Sequence, residues 1–432
     1  MIGRRASHAA VAVSTTACLL ACGAQRTQAG EGGRAPATSG ATTANDTTLD
    51  TIDRTVREHF YAPAVLVERH WEEHVEAARR ELAAKPSDRA GILERLVASL
   101  QTSHTEYIAP TSPRYASILS VFDPVLRKPS SKCPDLSKLP PLPVQSDDVD
   151  VWWRSIDGHW FVGGVLEGGS AERAGLLLGD EIVLADGRPF SPVESFAVKA
   201  GNVVTLSVRR SAGAPLVEVA VTPRRAAPQD AYRDALRASA RVVERAGARI
   251  GYVHVWSWAG DAMQEELEDA IDRLNQKGVT HFIVDIRDGW GGAAPPYIRI
   301  FDRSVPVFEA EMRDGKRYKR DAQIRVPAVL MVNAGSRSGK EGIAYAVKEH
   351  HLATLVGERT GGSVLPGSLF CLEDGAVLYL AVGSLTVDGE RLEGRGVTPD
   401  KEVPFDVRYA AGRDPQLEEA MATVVSAPSA AR

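Results

Sequence analysis

The chain has 432 residues, of which 44% are hydrophobic and 25% charged, and a formal net charge of −5. That length accommodates two or three globular domains with sizeable cores. Acidic and basic residues are mixed throughout and no basic stripe interleaves with aromatics, which excludes a nucleic-acid-binding surface.

In chain order, residues 1–22 come first. A cationic start, "MIGRR", precedes the apolar stretch "AAVAVSTTACLLAC", which is too short to span a bilayer as a permanent helix. It ends in Leu19-Leu-Ala-Cys22, which resembles the lipobox of bacterial lipoproteins. An ordinary signal peptide would also read this way, but a cysteine directly after Leu-Leu-Ala favours a lipoprotein signal, with Cys22 as the lipidated mature N-terminus. Residues 23–48, rich in Gly, Ala, Ser and Thr without apolar periodicity, read as a flexible tether. The expected location is the bacterial cell envelope, anchored by lipid. Gly23 rather than aspartate after the cysteine makes the outer membrane, facing the periplasm, the default in a two-membrane host. Cys18 leaves with the signal, so Cys133 and Cys371 remain, and an oxidising compartment would permit them to pair.

Residues 49–123 are expected to form an N-terminal helical domain. "DTIDRTVREHF" and "ERHWEEHVEAARRELAA" carry apolar residues at helical spacing, and a third helix starts at a Ser87 or Asp88 cap with Ile92, Leu93, Leu96, Val97 and Leu100 on one face. It stops near "TSHTEY". The sequence "HWEEH" (70–74) matches an inverted zinc-protease motif with both histidines on one helical face, but a solvated amphipathic helix explains it and no third ligand stands out. No metal is expected. Residues 124–147, rich in Pro, Ser and Lys, read as a linker.

Residues 148–225 become short strands. "VDVWWRSIDGHWFVGGVL" alternates around an Asp-Gly turn, and "VVTLSVRR" and "LVEVAVTP" form a later pair. Between them, "GGSAERAGLLLGDEIVLADG" resembles a PDZ domain of the bacterial protease type, which implies a short helix (Ala171–Ala174), a Gly-Leu turn and a Gly-Asp-x-Ile strand. Such domains hold peptide C-termini by strand addition. Residues 226–410 alternate strand and helix: strand "ARIGYVHVW", helix Asp261–Lys277, strands "THFIVDI" and "VPAVLMV", a helix over Gly339–Lys348, then "TLVG" and "AVLYLAVG". Residues 411–432 read as a C-terminal tail.

The chemistry concentrates in "NAGSRSGKEG" (333–342). Ser338-x-x-Glu341 is a capping-box pattern, closing the first helical turn. A serine at a strand-to-helix turn is also where hydrolases place nucleophiles, with the following N–H, here Gly339, facing the developing oxyanion. Upstream, "VDIRDGWGGAAP" (284–295) runs a buried strand into a turn where Gly291 or Gly292 leaves backbone N–H groups open as a second donor. Two further blocks follow, "LVGERTGG" (355–362) and "RLEGRGVTPD" (391–400).

These four blocks, in this order, resemble the C-terminal processing (tail-specific) proteases and the tricorn core protease. The resemblance covers roughly residues 49–410 and implies an α/β (α+β multidomain) fold: an N-terminal helical segment, a PDZ-like domain and a crotonase/ClpP-like peptidase core over 226–410. It makes Ser338, three residues before Glu341, the nucleophile in preference to Ser336, and leaves Glu341 a helix-capping partner. The tail-specific branch places a lysine where this chain has Ser363, which cannot act as a base, and Lys340 faces another side of its helix from Ser338. The tricorn-like branch instead implies His104 as base, with Ser103 and Glu393 as a relay orienting it. The family asparagine of the Gly-Gly turn is Gly289 here. The expected function is a lipid-anchored serine endopeptidase of the cell envelope acting on peptide or protein substrates, with no cofactor. The alternative is a catalytically silent relative that binds peptides or apolar ligands.

Overall fold

The computed structural model describes residues 46–426; the expected lipoprotein signal with Cys22, nearly all of the expected tether and the last residues of the expected tail lie outside them. Asp46 caps the first helix, its Oδ1 accepting from the N–H groups of Thr48 (3.0 Å) and Leu49 (3.2 Å). Helix α1 (Thr47–His59) therefore begins inside the expected tether. After α2 (Pro63–Glu68) the chain turns through His70, whose φ of 51° breaks the helix expected across it, and α3 (Trp71–Ala84) restarts at Trp71. His70 and His74 thus do not share one helical face. Helix α4 (Arg89–Ala98) buries Ile92, Leu93, Leu96 and Val97, while its preceding Asp88 makes no side-chain cap bond.

Next come β1 (Glu106–Ile108) and α5 (Tyr115–Leu126). Helix α5 runs through Pro124 into the expected linker, and that segment is not loose. Leu139 and Val144 are buried, and Cys133 is disulfide-bonded to Cys371, which settles the pairing the sequence left open.

The following strands are β2 (Ser146–Asp148), β3 (Val151–Ile156), β4 (His159–Val165), β5 (Glu181–Ala185), β6 (Arg188–Pro189), β7 (Val204–Arg209), β8 (Val217–Val221) and β9 (Arg224–Ala226). Strands β3 to β8 form an antiparallel sheet, with Asp157-Gly158 turning β3 into β4 at φ of 52° and 79°. In β7 buried and half-buried residues alternate, as one covered sheet face requires. The short helix α6 (Ser170–Ala174) ends on Gly175, left-handed at φ 77°.

The core comprises α7 (Pro228–Ser239), β10 (Arg241–Arg245), β11 (Ala248–His254), α8 (Asp261–Gln276), β12 (His281–Asp285), the hairpin β13 (Phe308–Glu311) and β14 (Arg317–Arg320), β15 (Ala328–Val332), α9 (Gly339–Glu349), β16 (Thr354–Gly357), β17 (Gly367–Cys371), β18 (Val377–Ala381), β19 (Lys401–Glu402) and α10 (Pro415–Ser426). Its six-stranded sheet runs β10-β11-β12-β15-β16-β19 and is parallel apart from β10.

Two expectations change here. The tail carries α10, whose Ala420, Met421 and Val424 pack on Ile283, Val329, Met331 and Val356, while Leu330 and Val332 face the opposite core. Covering both faces is why "VPAVLMV" is apolar without alternation. Strand β18 lies outside this sheet, in a separate antiparallel one of order β1-β18-β17. The N-terminal helices pack on that small sheet, so it ties the start of the chain to its later part.

Candidate active site

Strand β15 delivers the chain into the turn 333–338. Asn333 shapes that turn by accepting the N–H groups of Asp288 (3.0 Å) and Gly335 (2.9 Å) on its Oδ1. The two serines then separate. Ser336 is fully buried, donating to Ile286 O (3.0 Å) and accepting from Asn333 N–H (3.1 Å). Ser338 lines a cleft of about 760 Å³, and its backbone is held at φ 58°, ψ −130°, a left-handed conformation that costs a non-glycine residue roughly 1–3 kcal/mol. The Ser338 N–H donates to Ser363 O at 2.7 Å, part of the framework that holds this strain.

The capping box is not formed. An N-cap residue is normally extended, aiming its oxygen at the first-turn N–H groups, whereas left-handed Ser338 makes no side-chain cap bond. Glu341 is buried and turned to another task. Its carboxylate accepts from Thr360 Oγ1 (2.5 Å), Gly362 N–H (2.7 Å) and Ser363 N–H (2.7 Å), clamping the loop beside Ser338. Burial pushes its pKa up against these bonds. Lys340, fully buried, donates to the carbonyls of Asp288 (2.7 Å) and Trp256 (3.3 Å), and burial brings its pKa down to about 7. Its ammonium therefore braces the glycine-rich turn.

In that turn Gly289 has φ 68°, and a Cβ there would lie 1.7 Å from Trp256 O. The backbone thus demands glycine where the family has asparagine. A Cβ on Gly291 would stand 2.7 Å from Ser338 Cβ, and one on Gly339 would stand 2.5 Å from Ala293 N. Gly292 (φ 93°) abuts Ala259 instead. Among the described residues, the N–H groups of Gly291, Gly292 and Gly339 donate to no protein acceptor.

In the same cleft, residues 101–105 turn sharply, with Gln101 and His104 both left-handed, before β1 pairs with β18. Ser103 Oγ lies 3.1 Å from His104 Nδ1 and donates to Glu393 Oε2 at 2.9 Å. Glu393 also takes the N–H groups of Ser103 (3.3 Å) and Val364 (2.9 Å). With the Ser103 proton committed to a carboxylate, its oxygen accepts from Nδ1–H, which leaves Nε2 as the basic nitrogen. Burial brings the His104 pKa down to about 4, against the opposing pull of Glu393 and Glu106, so the ring is neutral at pH 7. It stacks edge-on to Tyr379 at 5.1 Å. His104 and Ser338 line the same cleft, with no hydrogen bond joining them in this conformation.

Sequence reasoning missed several cleft residues. Arg114 pairs with Glu106 and lies over the Trp290 ring, and Arg154 of β3 pairs with Asp288 at 2.6 Å. Arg154 and Asp288 are 134 positions apart, so no local spacing marks that pair, whereas Glu106 and Arg114 face each other across the short turn between β1 and α5. Beneath the glycine turn, Arg287 bonds both Asp285 (2.6 Å) and Asp414 (2.7 Å), linking the first peptidase block to the start of α10. No group of three His, Cys, Asp or Glu side chains among the described residues is placed to hold a metal ion. No helix among them is long and apolar enough to cross a membrane.

The family described as peptidase family S41 matches residues 249–403. The chain is 27% identical over 258 residues to a carboxy-terminal processing protease of Bacillus subtilis, covering 56% of this chain and 53% of that protein. It is 28% identical over 302 residues to a tricorn protease homologue of Streptomyces coelicolor, covering 63% of this chain and 27% of that one. Among solved structures, the tricorn protease superposes with a TM-score of 0.50 at 19% identity, covering 88% of this chain and 36% of that chain, a likeness of fold. The chain spans about half the length of the curated relatives it first matches.

Proposed function

We propose that this chain, whose residues 249–403 match peptidase family S41 and which is similar to carboxy-terminal processing proteases, is a serine endopeptidase with Ser338 as nucleophile and His104 as base. Ser338 Oγ attacks the scissile carbonyl carbon while His104 Nε2 takes its proton. The oxyanion forms against the N–H groups of Gly339 and of Gly291 or Gly292, with Gly291 the nearer to Ser338. Collapse expels the amine, which leaves with the proton from His104, and water then hydrolyses the acyl-enzyme by the same route. Glu393, through Ser103, orients the imidazole and favours its charged form.

The observation that carries this reading is the hydrogen-bonded chain Glu393–Ser103–His104, whose Ser103 and His104 line the same cleft as strained Ser338. The His-base branch is further supported at Ser363, where the tail-specific lysine would stand. Labelling by a serine-directed phosphonate tests the proposal: modification of the full chain that disappears in Ser338→Ala is expected. No labelling and no peptide hydrolysis would favour the silent peptide-binding relative.

The location and the accessory domain belong to the same proposal. A lipid on Cys22 would hold the enzyme at the extracytoplasmic membrane surface, and the Cys133–Cys371 bridge suits an oxidising compartment. Residues 148–225 act as a PDZ domain presenting substrate chains. Palmitate labelling lost in Cys22→Ala checks the anchor.

A further inference from the structure

The charges lining the cleft leave one cation over. Glu106 is matched by Arg114, and Asp288 by Arg154. Arg337, the residue before Ser338, is exposed, and among the described residues it has no carboxylate partner. Its one hydrogen bond is a long one from Nε to Ala334 O, at 3.4 Å. The side chain is nevertheless supported, because its stem crosses Gly361 so closely that a Cβ there would stand 3.0 Å from Cγ and 3.5 Å from Nε. The far end of the guanidinium makes no hydrogen bond among the described residues, and Arg337 lines the same cleft as His104, Glu106 and Ser338.

A planar guanidinium with open N–H groups on a supported stem is suited to bidentate capture of a carboxylate. We propose that Arg337 is a specificity residue that selects peptides carrying a carboxylate close to the bond presented to Ser338, either an Asp or Glu side chain or the peptide's own C-terminal carboxylate. This rests on the peptidase reading. It also has a kinetic consequence. The Arg337 cation opposes protonation of His104, so a substrate carboxylate that neutralises it favours the imidazolium formed during attack, and acidic substrates gain in kcat as well as in binding.

The test uses the full chain and synthetic peptides in two paired sets: Glu against Gln at each position flanking the cleaved bond, and free acid against amide at the C-terminus. Binding is read by fluorescence anisotropy in the Ser338→Ala background, and turnover in the native background. One acidic set is expected to bind about tenfold more tightly than its neutral counterpart, and the set that does so identifies the carboxylate's source. The advantage should fall below about twofold in Arg337→Gln, persist in part in Arg337→Lys, and pass to lysine-containing peptides in Arg337→Glu. Equal binding of acidic and neutral peptides, or a preference that survives Arg337→Gln, overturns the proposal. Preferential binding without phosphonate labelling or hydrolysis would instead overturn the peptidase reading alone.

Discussion

Glu393 holds Ser103 by two bonds, from its hydroxyl at 2.9 Å and its backbone N–H at 3.3 Å, across 290 positions of sequence. The carboxylate thereby fixes which Ser103 lone pair faces His104 Nδ1, and so which imidazole nitrogen is basic. Replacing Glu393 by Gln removes the charge and lets an amide N–H compete for the serine oxygen. We expect kcat to fall roughly 100-fold with KM little changed. A proportionate rise in KM would point to a binding role instead.

The two serines of the turn should respond in opposite ways. Ser338→Ala should abolish hydrolysis while stability stays within about 0.5 kcal/mol, and Ser338→Gly should stabilise by about 1 kcal/mol by releasing the left-handed backbone. Ser336→Ala should cost about 1–3 kcal/mol, because the buried Ile286 carbonyl and Asn333 N–H lose their partner. Denaturant titration beside peptide hydrolysis separates the two positions.

Restoring the family asparagine should harm this protein. Gly289→Asn places a Cβ against Trp256 O, which would stand 1.7 Å away, at φ 68°. Since Trp256 O also receives the Trp290 N–H (2.7 Å) and the Lys340 ammonium (3.3 Å), the whole turn must shift. Lower melting temperature and lower kcat are both expected. Unchanged activity would mean that this turn does not set the oxyanion site.

The depressed pKa of His104, about 4, gives a signed pH dependence. The acid limb of kcat/KM should fall near pH 4, below the ordinary imidazole value of about 6.5. For stability, folded and unfolded chains both carry a neutral imidazole above about pH 6.5, where the contribution is fully present. As pH falls from there toward 4 the unfolded chain takes up the proton first, so that stability is lost. Subtracting the stability profile of His104→Gln from that of the native chain should isolate this slope.

The Cys133–Cys371 bridge closes a loop of 238 positions and anchors β17, which pairs with β18 and through it with β1, just after His104. Cys133→Ser should cost about 2–4 kcal/mol and also reduce hydrolysis. Melting that is insensitive to reductant would contradict this.

The sequence reads well where the signal is local. Apolar spacing marks α4 and α8, the Asp157-Gly158 pair marks its turn, and the unbroken apolar runs mark β12 and β15. It reads poorly where a distant partner decides. "EYI" becomes a strand because β18 offers it an edge, and "AVLYLAVG" leaves the main sheet for the same pairing. The supposed tail becomes α10 because the second face of the sheet needs cover. Glu341 illustrates the limit: its capping-box spacing is genuine, yet the carboxylate serves loop 360–363 instead.

By itself the sequence determined the order of the blocks, the glycines that leave N–H groups open, and the serine that ends a buried strand. Only the tertiary structure decided what surrounds that serine: Ser336 buried, Lys340 turned to two carbonyls, and His104 brought into the same cleft with Ser103 and Glu393. Periodicity and turn chemistry act over a few residues. A hydrogen bond spanning 290 positions forms only once separate sheets and helices have packed, and no local spacing records it.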